Sequence, residues 1–210
     1  MPDGESNNFH GIYCFLRNQT LIVAVSADLL EVFRLRAETW PQAEVLDRER
    51  FQRLIDHPID RIIGPAFIGY TDRVAFRPVS VEGVRFLGPK DHSALATLSA
   101  ACTGIEWEHG GSKIEHSPIT GMFADGQLVA IAGYTLWGDV IAHISVLCHP
   151  FYRGRGYGRA VVSRLTEEVM NQRLLPQYQT LEANLASMAV GRALGFERYA
   201  TTVTVRFISS

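Results

Sequence analysis

Apolar residues recur along the chain with two different periods, and the changes between them mark out its elements. Residues 11–16 and 20–25 are β-rich runs around Arg17-Asn18-Gln19, the spacing of a hairpin. Ser26 or Asp28 stands where a helix cap belongs. Leu29, Leu30, Phe33 and Ala37 then share one helical face, which predicts a helix to about Thr39 with Pro41 as its stop. A second, shorter helix is expected over residues 47–56. Residues 61–81 carry short apolar runs broken by Gly64-Pro65, Gly69 and Arg77-Pro78, a pattern of strands and loops, and Glu82-Gly83 forms a boundary.

Beyond that boundary the periods sharpen. Residues 84–87 read as a strand, and Asp91 caps a helix whose apolar face is Leu95, Leu98 and Cys102. Residues 105–117 look irregular. Runs at 119–123 and 128–136 flank Ala124-Asp125-Gly126-Gln127, a hairpin built on Asp-Gly. Trp137-Gly138-Asp139 turns into a third run, 140–147. A helix over 159–174 sets Val161, Leu165 and Val169 against a polar side of Arg164, Glu167, Glu168, Asn171 and Gln172, with Pro176 ending it. A strand at 178–183, a helix at 185–194 and a strand at 198–208 complete the chain. This is an α/β (α+β) order: a mixed, mostly antiparallel sheet flanked by helices. The helical crossover before residue 178 makes the strands on either side of it parallel.

The 210 residues make one large domain or two small ones. Hydrophobic residues at 47% with 20% charged are ordinary for a globular protein. A net charge of −2 and a pI near 6.4 argue against a general nucleic-acid or membrane-surface binder. Cys14, Cys102 and Cys148 are odd in number, far apart and without a C-x-x-C, so neither a disulfide framework nor a metal site is expected. Residues 1–10 are polar and lack the apolar core of a signal peptide, and no apolar run reaches the ~18 residues of a membrane helix, so a cytoplasmic protein is expected.

The chemistry concentrates in Arg153-Gly154-Arg155-Gly156-Tyr157-Gly158, which lies between a strand-like and a helix-like run. Glycines let a backbone approach a ligand closely and aim successive N–H groups at it. The following helix adds roughly half a positive charge at its N-terminus, and Arg153, Arg155 and Arg159 surround that point. Together these describe a pyrophosphate cradle. The plainer alternative is an exposed basic turn. A Walker loop would need Gly-Lys-Ser/Thr where Gly158-Arg159-Ala160 stands, and a dinucleotide fingerprint needs G-x-G-x-x-G where the spacing here is G-x-G-x-G.

The segment resembles the acyl-CoA signature of the GNAT superfamily of N-acetyltransferases, Arg/Gln-x-x-Gly-x-Gly/Ala, with Arg153, Gly156 and Gly158 in its fixed positions. Val146-Leu147-Cys148-His149-Pro150-Phe151-Tyr152 looks like the family's strand end and lead-in. Asn184-Leu185-Ala186-Ser187 followed by Leu194-Gly195-Phe196 looks like its second motif, an Asn opening a helix that ends in Gly-Phe. The resemblance covers about residues 84–207. It implies a domain over 82–210, with 1–81 as an N-terminal α/β accessory segment that either borders the acceptor or serves as a stabilising or dimer contact.

The resemblance further implies acetyl-CoA as co-substrate, with no metal, and direct transfer of its acetyl group to a primary amine of a small molecule or peptide. Backbone groups of Val146, Leu147 and Cys148 would follow the pantetheine arm, an amide-bearing ligand bound like an added strand. The turn from Arg153 through Gly154, Arg155, Gly156 and Tyr157 to Gly158, with Arg159, would hold the diphosphate. Asn184 would reach the arm near the thioester, beside Ser187. Asn184 also fits a plain helix N-cap, and Ser187 a helix hydroxyl bonded back to a carbonyl. An amine arrives as an ammonium with a pKa near ~10.4, so removing its proton is worth ~10²–10⁴ in rate. Candidates for that are Glu106, Glu108, His109, Glu115, His116 and His143, each with an ordinary structural alternative. Glu108 is preferred because Trp107 and His109 beside it suggest a half-buried setting that raises a carboxylate's pKa. One departure stands out. The family often carries a tyrosine, as acid to the leaving thiolate, at the position of Gly191. Branches with Asn-x-x-Ser dispense with it, and Asn184-x-x-Ser187 fits them. Gly191 also favours the alternative of a non-catalytic acyl-CoA-binding module with a partner-binding N-terminal segment.

Overall fold

The computed structural model describes residues 10–37, 58–111 and 118–208. The helix expected at 47–56, Glu115 and His116 lie outside the described residues. Contacts divide the chain into two compact units: one takes in described residues up to Ile68 with Thr180–Leu185 and residues 198–208, the other Gly69–Gln179 with Ala186–Glu197. This division records how the chain packs.

The first unit is built on β1 (Gly11–Arg17), β2 (Thr20–Val25), β3 (Ile59–Tyr70, to Ile68) and β9 (Glu197–Phe207, from Arg198), in the order β2-β1-β9-β3. The expected hairpin pairs Arg17 with Thr20, and Asn18 takes the left-handed conformation that its short amide side chain tolerates. Ile12 faces Val205 and Cys14 faces Val203 across β1 and β9, and with Leu29, Phe33 and Phe207 they form this unit's core. The helix α1 (Leu30–Ala37) is preceded by a 3-10 turn at Ala27–Leu29. Ser26 does not cap it through its side chain: Ser26 Oγ accepts from Gly11 N instead, at 3.1 Å. Strand β3 also corrects an expectation, because one strand runs through both Gly64-Pro65 and Gly69 where several short pieces were expected.

The second unit holds β4 (Val84–Phe86), β5 (Thr120–Ala124), β6 (Gln127–Trp137), β7 (Ile141–Cys148) and β8 (Leu175–Leu181, to Gln179), in the order β8-β7-β6-β5-β4. All of these pairs are antiparallel except β7 with β8, which is parallel, as the crossover requires. The expected class therefore holds. Helices α2 (His92–Ala101) and α4 (Tyr157–Asn171) both pack on β6, where Leu128, Val129, Ala130, Ile131 and Ala132 are all buried. A strand that is apolar at successive positions is one covered on both faces. Leu95, Leu98, Ile119, Leu128, Ile131 and Leu147 form the cluster on the α2 face. Thr120 Oγ1 donates to Val161 O at 2.8 Å and ties β5 to α4.

Helix ends follow local chemistry that the apolar pattern does not carry. Asp91 is the N-cap residue of α2 without a side-chain cap bond; its carboxylate takes both arms of the Arg85 guanidinium, at 2.6 and 2.8 Å, and Gly88 N at 2.9 Å. Pro176 does not end α4, which stops five residues earlier. There Arg173 adopts φ 61°, Leu174 N donates to Val169 O and Arg173 N to Met170 O. That is a Schellman cap with arginine in the place usually held by glycine. Pro176 becomes the second residue of β8. Arg73 donates to Met170 O and Asn171 Oδ1, and Val79 N to Ser163 Oγ, so this segment is tied to α4 and satisfies one carbonyl of its last turn.

Arg85 first, then Gly88 N, holds the Asp91 carboxyl well below the usual carboxylate range. A depressed folded-state pKa contributes stability above the unfolded value and loses it as pH falls. The acid limb of thermal unfolding between about pH 4 and pH 2 is therefore expected to be steeper for the native chain than for Asp91→Asn. Melting curves across that range give the comparison.

Candidate active site

The expected glycine turn closes in a short space. A 3-10 turn at Pro150–Tyr152, capped by His149 Nδ1 accepting from Phe151 N, brings the chain off β7. Helix α4 begins at Tyr157, two residues earlier than the apolar pattern suggested, so Gly156 is its N-cap and Gly158 lies in its first turn. Gly156 has φ 84°, a left-handed conformation that leaves the cap free of side-chain atoms. Gly158 serves a different need. A Cβ there would stand 2.9 Å from Cys148 Sγ and 3.6 Å from Val146 Cγ2, so the first turn of α4 lies directly on the end of β7.

That end of β7 is also where pairing changes. The parallel register with β8 runs from Ile141↔Leu175 to Ile144↔Tyr178 and goes no further, while β7 continues to Cys148. On the other edge His149 N donates to Val129 O at 2.8 Å. Antiparallel ladders alternate, so Leu147 directs its N–H and C=O at β6, while those of Val146 and Cys148 turn to the opposite edge. Of the three residues expected along a bound arm, Val146 and Cys148 thus present backbone groups, and Leu147 contributes a core side chain. Cys148 O accepts from Arg153 Nε at 3.3 Å, and a Cβ at Gly110 would stand 2.6 Å from Val146 O. Burial pushes the Cys148 thiol up to about 11, which keeps it protonated and unreactive near neutral pH.

Residues 105–117 are not irregular throughout. Gly104–Gly110 form α3, opened by a reciprocal capping box. Glu106 N donates to Thr103 Oγ1 at 3.2 Å, and Thr103 N donates to Glu106 Oε2 at 2.9 Å. The signal was present as Thr-x-x-Glu at Thr103–Glu106. Glu106 also accepts from Arg153 Nη2 at 2.6 Å. Thr103 N first, and Arg153 second, lower the Glu106 carboxyl below its ordinary range, which makes Glu106 an anion that holds Arg153. Trp107 packs on the Leu98–Leu147 cluster, and a helical neighbour points about 100° away, so Glu108 is exposed. The half-buried setting expected for Glu108 is absent. His109 is exposed as well.

His143 lies one residue before the last β7–β8 pair. It stacks on Trp137 with ring centroids 4.2 Å apart, and its Nδ1 is 2.7 Å from Gln177 Oε1. Gln177 Nε2 donates to Tyr70 OH at 2.6 Å. Burial lowers the His143 pKa, partly offset by the Gln177 bond, so the imidazole is neutral near pH 7. Ser187, in α5 (Leu185–Ala193), is 2.8 Å from the Tyr178 hydroxyl. Tyr178 is a strand residue whose sequence context carries no mark of this pairing. Asn184 belongs to the first unit, where its N–H donates to Leu181 O. The exposed guanidinium of Arg155 lies over the Tyr152 ring at 5.0 Å, and Arg159 is exposed on the first turn of α4. Among the described residues no group of three or more His, Cys, Asp and Glu side chains could hold a metal ion, and no helix is long and apolar enough to cross a membrane.

The residues of the expected motifs thus fall on a strand edge that β8 leaves at mid-length, a glycine-capped helix packed on the end of that strand, and an arginine cluster. Residues 93–196 match the sequence model of the acetyltransferase (GNAT) family, and over this stretch the chain belongs to that family of enzymes. Solved structures of similar fold include a GNAT-family acetyltransferase from Colwellia psychrerythraea, 17% identical over 96% of this chain and 82% of its own, with a TM-score of 0.58. Another, from Novosphingobium aromaticivorans, is 23% identical over 72% of this chain and 67% of its own, with a TM-score of 0.59. A GCN5-related N-acetyltransferase from Kribbella flavida aligns over 80% of this chain and 66% of its own at 16% identity and a TM-score of 0.55. No curated protein matches the chain.

Alanine is favoured over glycine in a helix by ~1 kcal/mol, but overpacking costs ~1–3 kcal/mol. Gly158→Ala, driven against Cys148 Sγ, is expected to destabilise. Adding Cys148→Ala removes the opposing sulfur, so the double variant should cost less than the sum of the two single changes in urea unfolding.

Proposed function

We propose that the protein transfers an acetyl group from acetyl-CoA to a primary amine of a small molecule or peptide by direct attack on the thioester. The observation that carries this reading is the α4 N-terminus, capped by Gly156 and seated on the end of β7 where the β8 pairing has stopped. In this reading the amides from Gly154 to Gly158 and the exposed guanidinium groups of Arg155 and Arg159 take the diphosphate. The backbone groups of Val146 and Cys148 pair with the amides of the pantetheine arm, and Ser187 stands toward the thioester. Glu108 is the carboxylate that meets the arriving ammonium. Residues 1–81 act as an accessory segment, and the packed core that the first unit builds around Ile12, Leu29 and Phe33 supports its being ordered rather than a tail.

Two changes at the diphosphate end test this. Asn and Asp both tolerate the left-handed conformation of Gly156, and both are good N-caps, so the fold should persist with either. Gly156→Asp adds a negative charge at the anion site and should weaken acetyl-CoA binding by orders of magnitude; Gly156→Asn, of the same shape, should cost far less. Equal affinities of the two variants in calorimetry would remove the basis of the reading.

Glu106 supplies the second test. It holds Arg153 and places a carboxylate beside the same turn, so Glu106→Gln should tighten acetyl-CoA binding several-fold at low salt. The effect should fade as ionic strength shortens the screening length toward ~8 Å.

A further inference from the structure

The three arginines around the glycine turn differ in what holds them. Arg153 is paired with Glu106 at 2.6 Å, which fixes its position and offsets its charge. Arg159 is exposed on the first turn of α4. Arg155 has an uncharged partner: its guanidinium carbon lies 5.0 Å from the centre of the Tyr152 ring, within the ~6 Å of a cation–π contact. That ring is itself held. His149 meets it edge-on, with centroids 5.3 Å apart and planes at 86°, and Tyr157 flanks it at 6.4 Å. His149 is buried; its backbone N–H donates to Val129 O at 2.8 Å and its Nδ1 accepts from Phe151 N at 3.3 Å. A chain of contacts thus runs from β6 through His149 and Tyr152 to Arg155.

We propose that Tyr152 is a positioning residue, which holds Arg155 in place as the principal side-chain cation for the diphosphate. This rests on the acetyl-CoA reading above. Geometry and charge act together here. A guanidinium carried over an aromatic face keeps its in-plane N–H fork for two oxygens of an anion. The ring beneath it has no net charge, so Arg155 is ordered while its charge stays uncompensated. Ordering it beforehand removes the rotamer entropy that a free arginine loses on binding. Neither neighbour combines the two properties. Arg153 is ordered but already paired with a carboxylate, and Arg159 carries its charge on an exposed side chain. A lysine in place of Arg155 would offer a point charge without the planar fork.

Acetyl-CoA affinities measured by calorimetry at low salt test this, and no acceptor is needed. Arg155→Ala should weaken binding by about tenfold or more, the loss expected of one charge-assisted contact. Arg155→Lys keeps the charge and should recover only a small part of that loss. Tyr152→Leu should cost about two- to fivefold in the native background. In the Arg155→Ala background it should cost nothing further, because its effect passes through the arginine. Tyr152→Phe keeps the ring and should match the native protein. Native affinity in Arg155→Ala or in Arg155→Lys would overturn the inference. So would a Tyr152→Leu loss of equal size in both backgrounds, the mark of a merely structural residue. In each of these cases the acetyl-CoA reading stands. Should Tyr152→Leu fail to fold, the Arg155→Lys affinity decides alone. A native protein that binds no acetyl-CoA would sink the inference and the reading together.

Discussion

The approach of the first turn of α4 to the end of β7 is the contact on which the rest of the second unit's geometry depends. Gly158 lets helix backbone come within reach of Cys148 and Val146, where a Cβ would stand 2.9 Å from Cys148 Sγ. That closeness fixes where unpaired helix amides begin, and so where an anion is favoured. It also fixes which strand atoms lie beside those amides. Beyond Ile144 the strand no longer shares its edge with β8, which leaves the backbone groups that the proposed acyl-CoA site would use outside that pairing. One tight contact thus joins the N-terminus of α4 to the edge of β7, the two parts on which the proposed site is built.

The electrostatics of the turn are more divided than its composition implies. Three arginines surround it, yet the Arg153 side chain is held by Glu106 and by the Cys148 carbonyl. Arg155 and Arg159 are exposed as Arg153 is, so it is the Glu106 ion pair and not burial that sets Arg153 apart. Glu106 is itself fixed by the Thr103 cap, so the position of Arg153 is set by the start of α3. A helix cap on one element therefore tunes the field at the N-terminus of another.

Position 191 shows how a departure from a family pattern acquires a physical meaning once packing is known. The ring of Tyr178 occupies the volume that a larger side chain on α5 would need. Phe196 closes over it from a second Schellman cap, in which Phe196 N donates to Gly191 O and Gly195 N to Arg192 O with Gly195 at φ 83°. The Gly-Phe ending of α5 is a capping device that also holds an aromatic pair in place.

Much of the fold was legible in the sequence. Strands with Asp-Gly or Asn turns, the amphipathic face of α4 and the order of elements after residue 84 are set by side-chain period and turn chemistry, both local properties. The glycine-arginine turn was legible for the same reason, because a glycine-capped helix start is set by consecutive residues. The capping box at Thr103 was written in the sequence and passed over. The end of α4 was not written there, since Arg173 takes a conformation usually reserved for glycine. The exposure of Glu108, the partner of Asp91 and the pairing of Tyr178 with Ser187 were decided by tertiary structure alone. Each depends on which residue a neighbouring element brings to within ~3 Å, and that is fixed by sheet register and helix packing, which no local stretch of sequence contains.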